Sequence, residues 1–473
     1  MNAAGGRTGQ NHVRGRLDSD AATIQPLTLA DLILNRKGTI TFRLILAAFG
    51  IALRFFFRRI ETVNAGNVPR HDGLIFVLNH PNGLVDPAMV FVALPRRISF
   101  LAKSTLFRVP VISFLLKTVE ALPLYRRIDA GEDVSQNQRT FVAARELLRR
   151  GGSIALFPEG VSHNSPKLLP AKTGAARIAL GAASLEAEGG PVPVQIVPVG
   201  LFYTNKTTFR SEAVLHFGRP FPVEPVRLET DGEPPRLAVR ELTRRIEDEI
   251  REVTLNAETD AELQTAYIAE RVFATASESD TVGERLEFLK SYVAERGRQG
   301  SELDERVSAF DRRLADSGLS PEHLSLAQFT TRFVVWQAFV QVWVLLILSP
   351  LAAVGTILHL PAYQICKLLA RIYTKHGADD IASTVKVLAG MIFVPLTWLI
   401  TAVVLYFIFG WIAALASMPA AFLCGYAALY SLEEATELSG WARAVWMFLT
   451  KKEAFLRLFV ERRELQHELQ GID

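Results

Sequence analysis

Leu74-Ile75-Phe76-Val77-Leu78-Asn79-His80-Pro81-Asn82-Gly83-Leu84-Val85-Asp86-Pro87 passes from an apolar run directly into a polar, turn-forming segment that holds a histidine and a carboxylate. A short apolar run bounded by turn residues reads as a buried strand. Ser153-Ile154-Ala155-Leu156-Phe157 repeats the pattern and leads into Pro158-Glu159-Gly160. Gln195-Ile196-Val197-Pro198-Val199 repeats it again. Between these runs lie helix-like stretches, Arg139 to Arg150, which ends at Gly151-Gly152, and Ala171 to Ala183. Buried strands alternating with helices, from about residue 64 to 225, predict an α/β layered domain whose ligands gather at strand ends.

The residues just after these strands can do chemistry. With His80 at a strand end and Asp86 six residues on, the carboxylate can hold the imidazole tautomer and stabilise its protonated form. The other ring nitrogen is then left to take a proton from a hydroxyl. Pro81, Asn82 and Gly83 favour a turn that lets the two side chains meet. Glu159 beside Gly160, with Ser162 and His163 beyond, can touch a polar ligand while the backbone turns away. Leu122-Pro123-Leu124-Tyr125-Arg126-Arg127 delivers arginine from a short strand, which suits bidentate binding of phosphate. Lys103 and Lys172 are further candidate phosphate contacts. Each feature taken alone fits a structural or solvated role better than a functional one. Val197-Pro198-Val199-Gly200 reads as a buried strand closing the site.

Composition adds a second part to the chain. Its 473 residues are 49% hydrophobic and 21% charged, which excludes wholesale disorder. A mean hydropathy of +0.20 argues against a purely soluble protein. With 52 basic and 49 acidic residues, the net charge of +3 fits a dedicated nucleic-acid binder poorly. Cys366 and Cys424 cannot build a disulfide framework, and no Cys/His cluster suggests zinc. The first 30 residues hold no apolar core of a secretory signal. The apolar excess lies in two runs without Asp, Glu, Lys or Arg: 34 residues from Phe333 to Cys366, and 46 from Val387 to Leu432. About 20 apolar residues cross a bilayer as a helix. The second run therefore predicts two crossings with a turn at Phe409-Gly410. The first, with Pro350 at its centre, predicts one tilted span or a broken re-entrant hairpin.

Basic residues flank both runs: Arg332 before the first, Lys367, Arg371, Lys375 and Lys386 between, and Lys451, Lys452, Arg457, Arg462 and Arg463 after. Three basic flanks predict two hairpins with all flanks in the cytoplasm. Trp441 to Gln470 fits an interfacial amphipathic helix or a solvated helix packed on the sheet domain. Leu44 to Leu53, followed by Arg54, Arg58 and Arg59, fits a helix lying in a membrane surface or an ordinary buried helix.

Together the four blocks are far more specific than any one alone, and their order and spacing resemble the glycerophosphate acyltransferase family. Its His-x-x-x-x-Asp block corresponds to His80 and Asp86, and its arginine block to Arg126. Phe157-Pro158-Glu159-Gly160 is identical to the third block, with Ser162 in the usual small polar position. Val197-Pro198-Val199 corresponds to the fourth. Five residues separate His80 from Asp86 where the family usually has four. That longer form looks like the fungal branch acting on glycerol-3-phosphate and dihydroxyacetone phosphate. So do Val161 to Asn164 leading to Leu168 to Ala175, and the segment Val197 to Pro220 with Tyr203, Phe209-Arg210-Ser211 and Phe217-Gly218.

The resemblance implies a glycerol-3-phosphate acyltransferase-like α/β domain with a helical connector and C-terminal transmembrane hairpins. It divides the chain into a disordered N-terminus (1–30), a membrane-interface helix (31–62), the acyltransferase domain (63–228), a charged helical connector (229–330), a transmembrane region (331–435) and an amphipathic C-terminal helix (436–473). It implies a multi-pass membrane enzyme with its catalytic domain on the cytoplasmic side. The donor would be an acyl thioester, acyl-CoA or acyl carrier protein, and the acceptor glycerol-3-phosphate or dihydroxyacetone phosphate in phospholipid biosynthesis. Alternatives are acylation of 1-acylglycerol-3-phosphate or another lysophospholipid, and a non-catalytic membrane receptor for lipid phosphates. His80 would act as base and Asp86 as its orienter, with direct attack on the thioester, since no Gly-x-Ser-x-Gly elbow supplies a serine nucleophile. Arg126, Glu159, Gly160 and Ser162, with Lys103 and Lys172, would position the glycerol phosphate, Glu159 holding an acceptor hydroxyl or the arginine. No metal, bound cofactor or nucleic acid is expected.

Overall fold

The computed structural model describes residues 39–69, 72–94, 96–129, 131–185, 193–273, 281–299, 301–321, 324, 331–374 and 382–469. The expected disordered N-terminus, Lys375 and the last residues of the C-terminal segment lie outside them. Thr39 opens helix α1 (Ile40–Phe56), its hydroxyl accepting from the Phe42 amide at 3.2 Å. The helix runs directly into strand β1 (Phe57–Val63). Then follow β2 (Gly73–Leu78), α2 (Val85–Ala93), β3 (Ser99–Lys103), α3 (Pro110–Thr118), β4 (Leu122–Leu124), α4 (Asn137–Arg149) and β5 (Ser153–Leu156). Next come α5 (Gly174–Ala183), β6 (Val194–Tyr203), β7 (Ser211–Phe217) and β8 (Phe221–Pro222).

These strands form one sheet in the order β1-β7-β6-β2-β5-β3-β4, with β8 also on β6. β6 is antiparallel to β7 and β8, and the other pairs are parallel. Every residue of β2 is buried because the sheet carries helices on both faces. Leu74, Phe76 and Leu78 face α1, α2 and α3. Ile75 and Val77 face α4, α5 and α6 (Arg236–Val253). α4 shows how the sequence specifies this: Phe141, Ala144 and Leu148, at helical spacing, are its inward stripe. The helix closes with Gly151 at φ +72°. Because β2, β3, β4, β5 and β6 are mutually parallel, their carboxyl ends open on one edge of the sheet.

α1 buries Phe42, Leu46, Phe49, Leu53 and Phe56 and leaves Ile40, Leu44 and Ile51 exposed. The expected interface helix through residue 62 stops at Phe56, where the chain joins the sheet edge. Beyond α6, helices α7 (Asp260–Phe273), α8 (Val282–Gln299) and α9 (Ser301–Asp316) form a third core around Leu286 and Phe310.

Three long helices follow: α10 (Thr331–Thr374), α11 (Ala382–Phe409) and α12 (Trp411–Thr450). All three are long and apolar enough to cross a membrane. Only 6% of the most apolar window of α11 is buried, leaving a surface unsuited to water. The turn expected at Phe409-Gly410 is present, with Gly410 at φ +85°. The first apolar run, however, is one continuous helix with Pro350 and Pro361 inside it, not a re-entrant hairpin. The expected pair of hairpins, which needs four segments, is therefore replaced by three helices. A Cβ on Gly355 would sit 1.9 Å from the Cys424 carbonyl oxygen, so close packing of α10 on α12 requires glycine there. Trp398 Nε1 donates to His359 Nε2 at 2.7 Å, tying α11 to α10.

The last helix, α13 (Lys452–Leu469), buries Phe455, Leu458, Leu465 and Leu469 in the connector core. Arg462 donates to the carbonyls of Val272 and Leu324. Its apolar face thus meets the connector rather than a membrane surface, and residues 441–450 continue α12. The long helices also dock on the sheet domain. Leu84 N donates to Thr384 Oγ1 at 2.9 Å, Lys386 Nζ to the Thr207 carbonyl at 2.6 Å, and Arg210 pairs with Glu433 at 2.5 Å.

Candidate active site

His80 leaves the carboxyl end of β2, and Asp86 sits in the first turn of α2. The turn through Pro81, Asn82 and Gly83 brings His80 Nδ1 within 2.8 Å of Asp86 Oδ2. The extra residue between them is therefore accommodated without separating the pair. Asp86 is fully buried, and a buried carboxylate needs donors. It has two more: the Asn82 amide at 2.7 Å on Oδ2 and the Tyr203 hydroxyl at 2.6 Å on Oδ1. Burial, then the negative Asp86, holds the Tyr203 phenol well above its usual value, so Tyr203 stays a donor. With three donors supplied to Asp86, His80 places its proton on Nδ1 and keeps a lone pair on Nε2. The Phe157 ring stacks on the imidazole at 3.9 Å between centroids. The His80 side chain remains 17% exposed. It opens into a recess of about 80 Å³ lined by Glu159, His163, Tyr203, Lys206 and Asn256 among others.

Glu159 follows β5 and is 4% exposed. Its Oε1 accepts from the His80 backbone amide at 2.8 Å. Its Oε2 accepts from Leu169 N at 2.9 Å and pairs with His163 Nε2. These partners place it behind His80 as a clamp on the backbone; the arginine that the sequence offered it is held elsewhere.

Arg126 donates twice to Asp129, through Nε at 2.9 Å and Nη2 at 3.0 Å, and from Nη1 to the Gly160 carbonyl at 2.6 Å. Lys103 Nζ reaches the same Asp129 at 3.0 Å. Hydrogen bonding to Arg126 and then Lys103 holds the Asp129 carboxyl down at about 2. Gly160 has φ +73°, and a Cβ there would meet Lys172 Nζ at 2.5 Å. Arg126, Lys103 and Lys172 thus form a cationic cluster around one acid and Gly160, beside the His80 recess but not lining it. Ser162 lies half-buried in the same loop as Glu159.

Asp129, His163 and Lys206 were not assigned roles from sequence, and Tyr203 carried only resemblance. For Tyr203 a signal existed. Val197, Val199, Leu201 and Tyr203 alternate along β6 and share the face that α2 covers.

Residues 59–201 match the family described as Acyltransferase, and residues 286–472 match the one described as Glycerol-3-phosphate acyltransferase 2 C-terminal domain. The chain therefore carries an acyltransferase domain on its sheet, as the four blocks implied. The second match runs from within α8 through α9, the three long helices and α13. It is 29% identical over 308 residues to Glycerol-3-phosphate O-acyltransferase 2 of Saccharomyces cerevisiae, which covers 61% of this chain and 41% of that protein. It is 30% identical over 279 residues to Glycerol-3-phosphate O-acyltransferase 1 of the same yeast, covering 55% and 36%. The chain thus spans less than half the length of these curated relatives. Among solved structures, it is similar to the 1-acyl-sn-glycerophosphate acyltransferase PlsC of Thermotoga maritima, with TM-score 0.33, 19% identity, and coverage of 45% of this chain and 80% of that one.

Proposed function

We propose that the protein moves a fatty acyl group from a thioester to a hydroxyl of glycerol-3-phosphate or dihydroxyacetone phosphate at a membrane. The observation that carries this is His80 held at 2.8 Å by a fully buried Asp86 and lining an open recess. An acceptor hydroxyl in the recess gives its proton to Nε2 as its oxygen attacks the thioester carbonyl. Asp86 stabilises the imidazolium that forms. The tetrahedral intermediate collapses with loss of thiolate, which takes the proton back from His80. Arg126, Lys103 and Lys172 receive the acceptor phosphate, which displaces part of the Arg126–Asp129 pairing. Glu159 and Gly160 hold the loop that aims both sites, and Ser162 lies within it. The three apolar helices seat the domain in the bilayer, where acyl chains and product partition.

An acceptor panel tests this reading. Purified protein in nanodiscs receives one acyl-CoA with glycerol-3-phosphate, dihydroxyacetone phosphate or 1-acylglycerol-3-phosphate. Fastest thiol release with either of the first two is expected. Preference for the lysophospholipid would move the enzyme to the second acylation, and release with none would leave a non-catalytic lipid-phosphate receptor.

A further inference from the structure

A second and larger cavity lies beyond the His80 recess, where the β6–β7 connection and helices α7 and α8 meet α10 and α11. Its volume is about 850 Å³, within the range of small-molecule sites. Lys206, Arg285, Lys367, Arg371 and Lys386 line it. Lys367 and Arg371, four residues apart, lie on one face of α10. Neither has an acidic partner among the described residues. Lys386 donates to a neutral oxygen, the carbonyl of Thr207. Of the two acids in the wall, Glu270 is taken up by Arg285 at 2.6 Å, leaving Asp260. A cavity with this excess of cations attracts and holds a ligand bearing several negative charges. Phe202, Tyr203 and Lys206 line both this cavity and the His80 recess, so the two adjoin along that wall.

We propose that this cavity binds the phosphorylated nucleotide end of a CoA-type donor while its thioester lies at His80. The acyl-acceptor phosphate is left to the separate cluster at Arg126 and Lys103. The assignment rests on the reading of the chain as a thioester-dependent acyltransferase. It gives the ends of the long helices a chemical task besides anchoring. Phosphate chemistry alone is also offered by an anionic lipid headgroup; the wall shared with the His80 recess favours the donor.

The test compares wild type with the double variant Lys367→Gln/Arg371→Gln in neutral-lipid nanodiscs. Direct binding of adenosine 3′,5′-bisphosphate is measured first, since it needs no turnover and so stands apart from the acyl-transfer reading. Acyl-CoA and acyl-N-acetylcysteamine, which has the thioester but no phosphate, are then compared as donors. Loss of two charge-assisted contacts is expected to weaken nucleotide binding about ten-fold or more. The acyl-CoA to acyl-N-acetylcysteamine ratio of kcat/KM should fall by a similar factor, with the KM for glycerol-3-phosphate unchanged. Unaltered nucleotide binding, or equal loss with both donors, overturns the proposal. So does a variant that loses only its response to phosphatidate added to the nanodisc, which would assign the cavity to a lipid headgroup. A single Lys386→Gln variant repeats the comparison on a different helix, should the double variant fail to fold.

Discussion

Tyr203 gives its hydroxyl to Asp86 at 2.6 Å, on the carboxylate oxygen that His80 does not use. The imidazole, its carboxylate and the phenol therefore come from the end of β2, the start of α2 and the end of β6. Parallel pairing of β2 with β6, Leu78 opposite Val199, sets their separation.

Tyr203→Phe removes one of three donors to a buried carboxylate. Unfolding free energy should fall by about 2 kcal/mol. Because Asp86 then aims the imidazole less well, kcat should fall about ten-fold or more while acceptor KM moves little. Denaturant unfolding and steady-state kinetics check both. A change confined to KM would place Tyr203 against substrate instead.

Glu159→Gln cannot satisfy His80 N, Leu169 N and His163 together, since one of its oxygens becomes a donor. Two faults follow: a faster-cleaved loop over 159–169 on limited proteolysis, and a lower kcat. The KM for glycerol-3-phosphate should stay within about two-fold, as expected of a group whose oxygens are taken up by His80 N, Leu169 N and His163. A large selective rise in that KM would restore the acceptor-hydroxyl role read from sequence.

Arg126→Lys keeps the charge and loses the planar fork. One ammonium cannot both pair with Asp129 and reach the Gly160 carbonyl while accepting a phosphate, so acceptor KM should rise about ten-fold or more. Asp129 stays ionised down to about pH 2, so the acidic limb of any activity profile above that pH belongs to other groups.

His216, on β7, is 9% exposed and packed near Lys290 and Glu287. Burial first, and then the Lys290 charge, push its pKa below the usual 6.5, with Glu287 pulling upward. The folded chain thus binds this proton more weakly than the unfolded one. The contribution to stability is full above pH 6.5 and is lost as pH falls through the lowered folded value. Melting temperatures at about pH 7.5 and pH 5 should differ less in His216→Asn than in wild type.

The sheet was largely legible because β2, β5 and β6 are buried on both faces and so appear as continuous apolar runs. Their polar ends carried His80, Glu159 and their neighbours to one edge, which any parallel arrangement would do. The Asp86 pairing was readable from a turn of Pro, Asn and Gly. The clamp by Glu159 was not, since it acts on backbone amides that sequence does not display. Asp129 looked like any loop acid until Arg126 and Lys103 converged on it. Pro350 left the first apolar run open between one helix and a broken hairpin, and helix α10 carries it unbroken, held in contact with α11 and α12.

The central claim is that His80 Nε2 takes the acceptor proton. His80→Ala protein, reconstituted in nanodiscs, is assayed for thiol release from acyl-CoA in the presence of glycerol-3-phosphate, with its melting temperature as a control for folding. The expected result is loss of at least about a hundred-fold in kcat with nearly unchanged melting. A folded His80→Ala protein that transfers at near wild-type rate would contradict it.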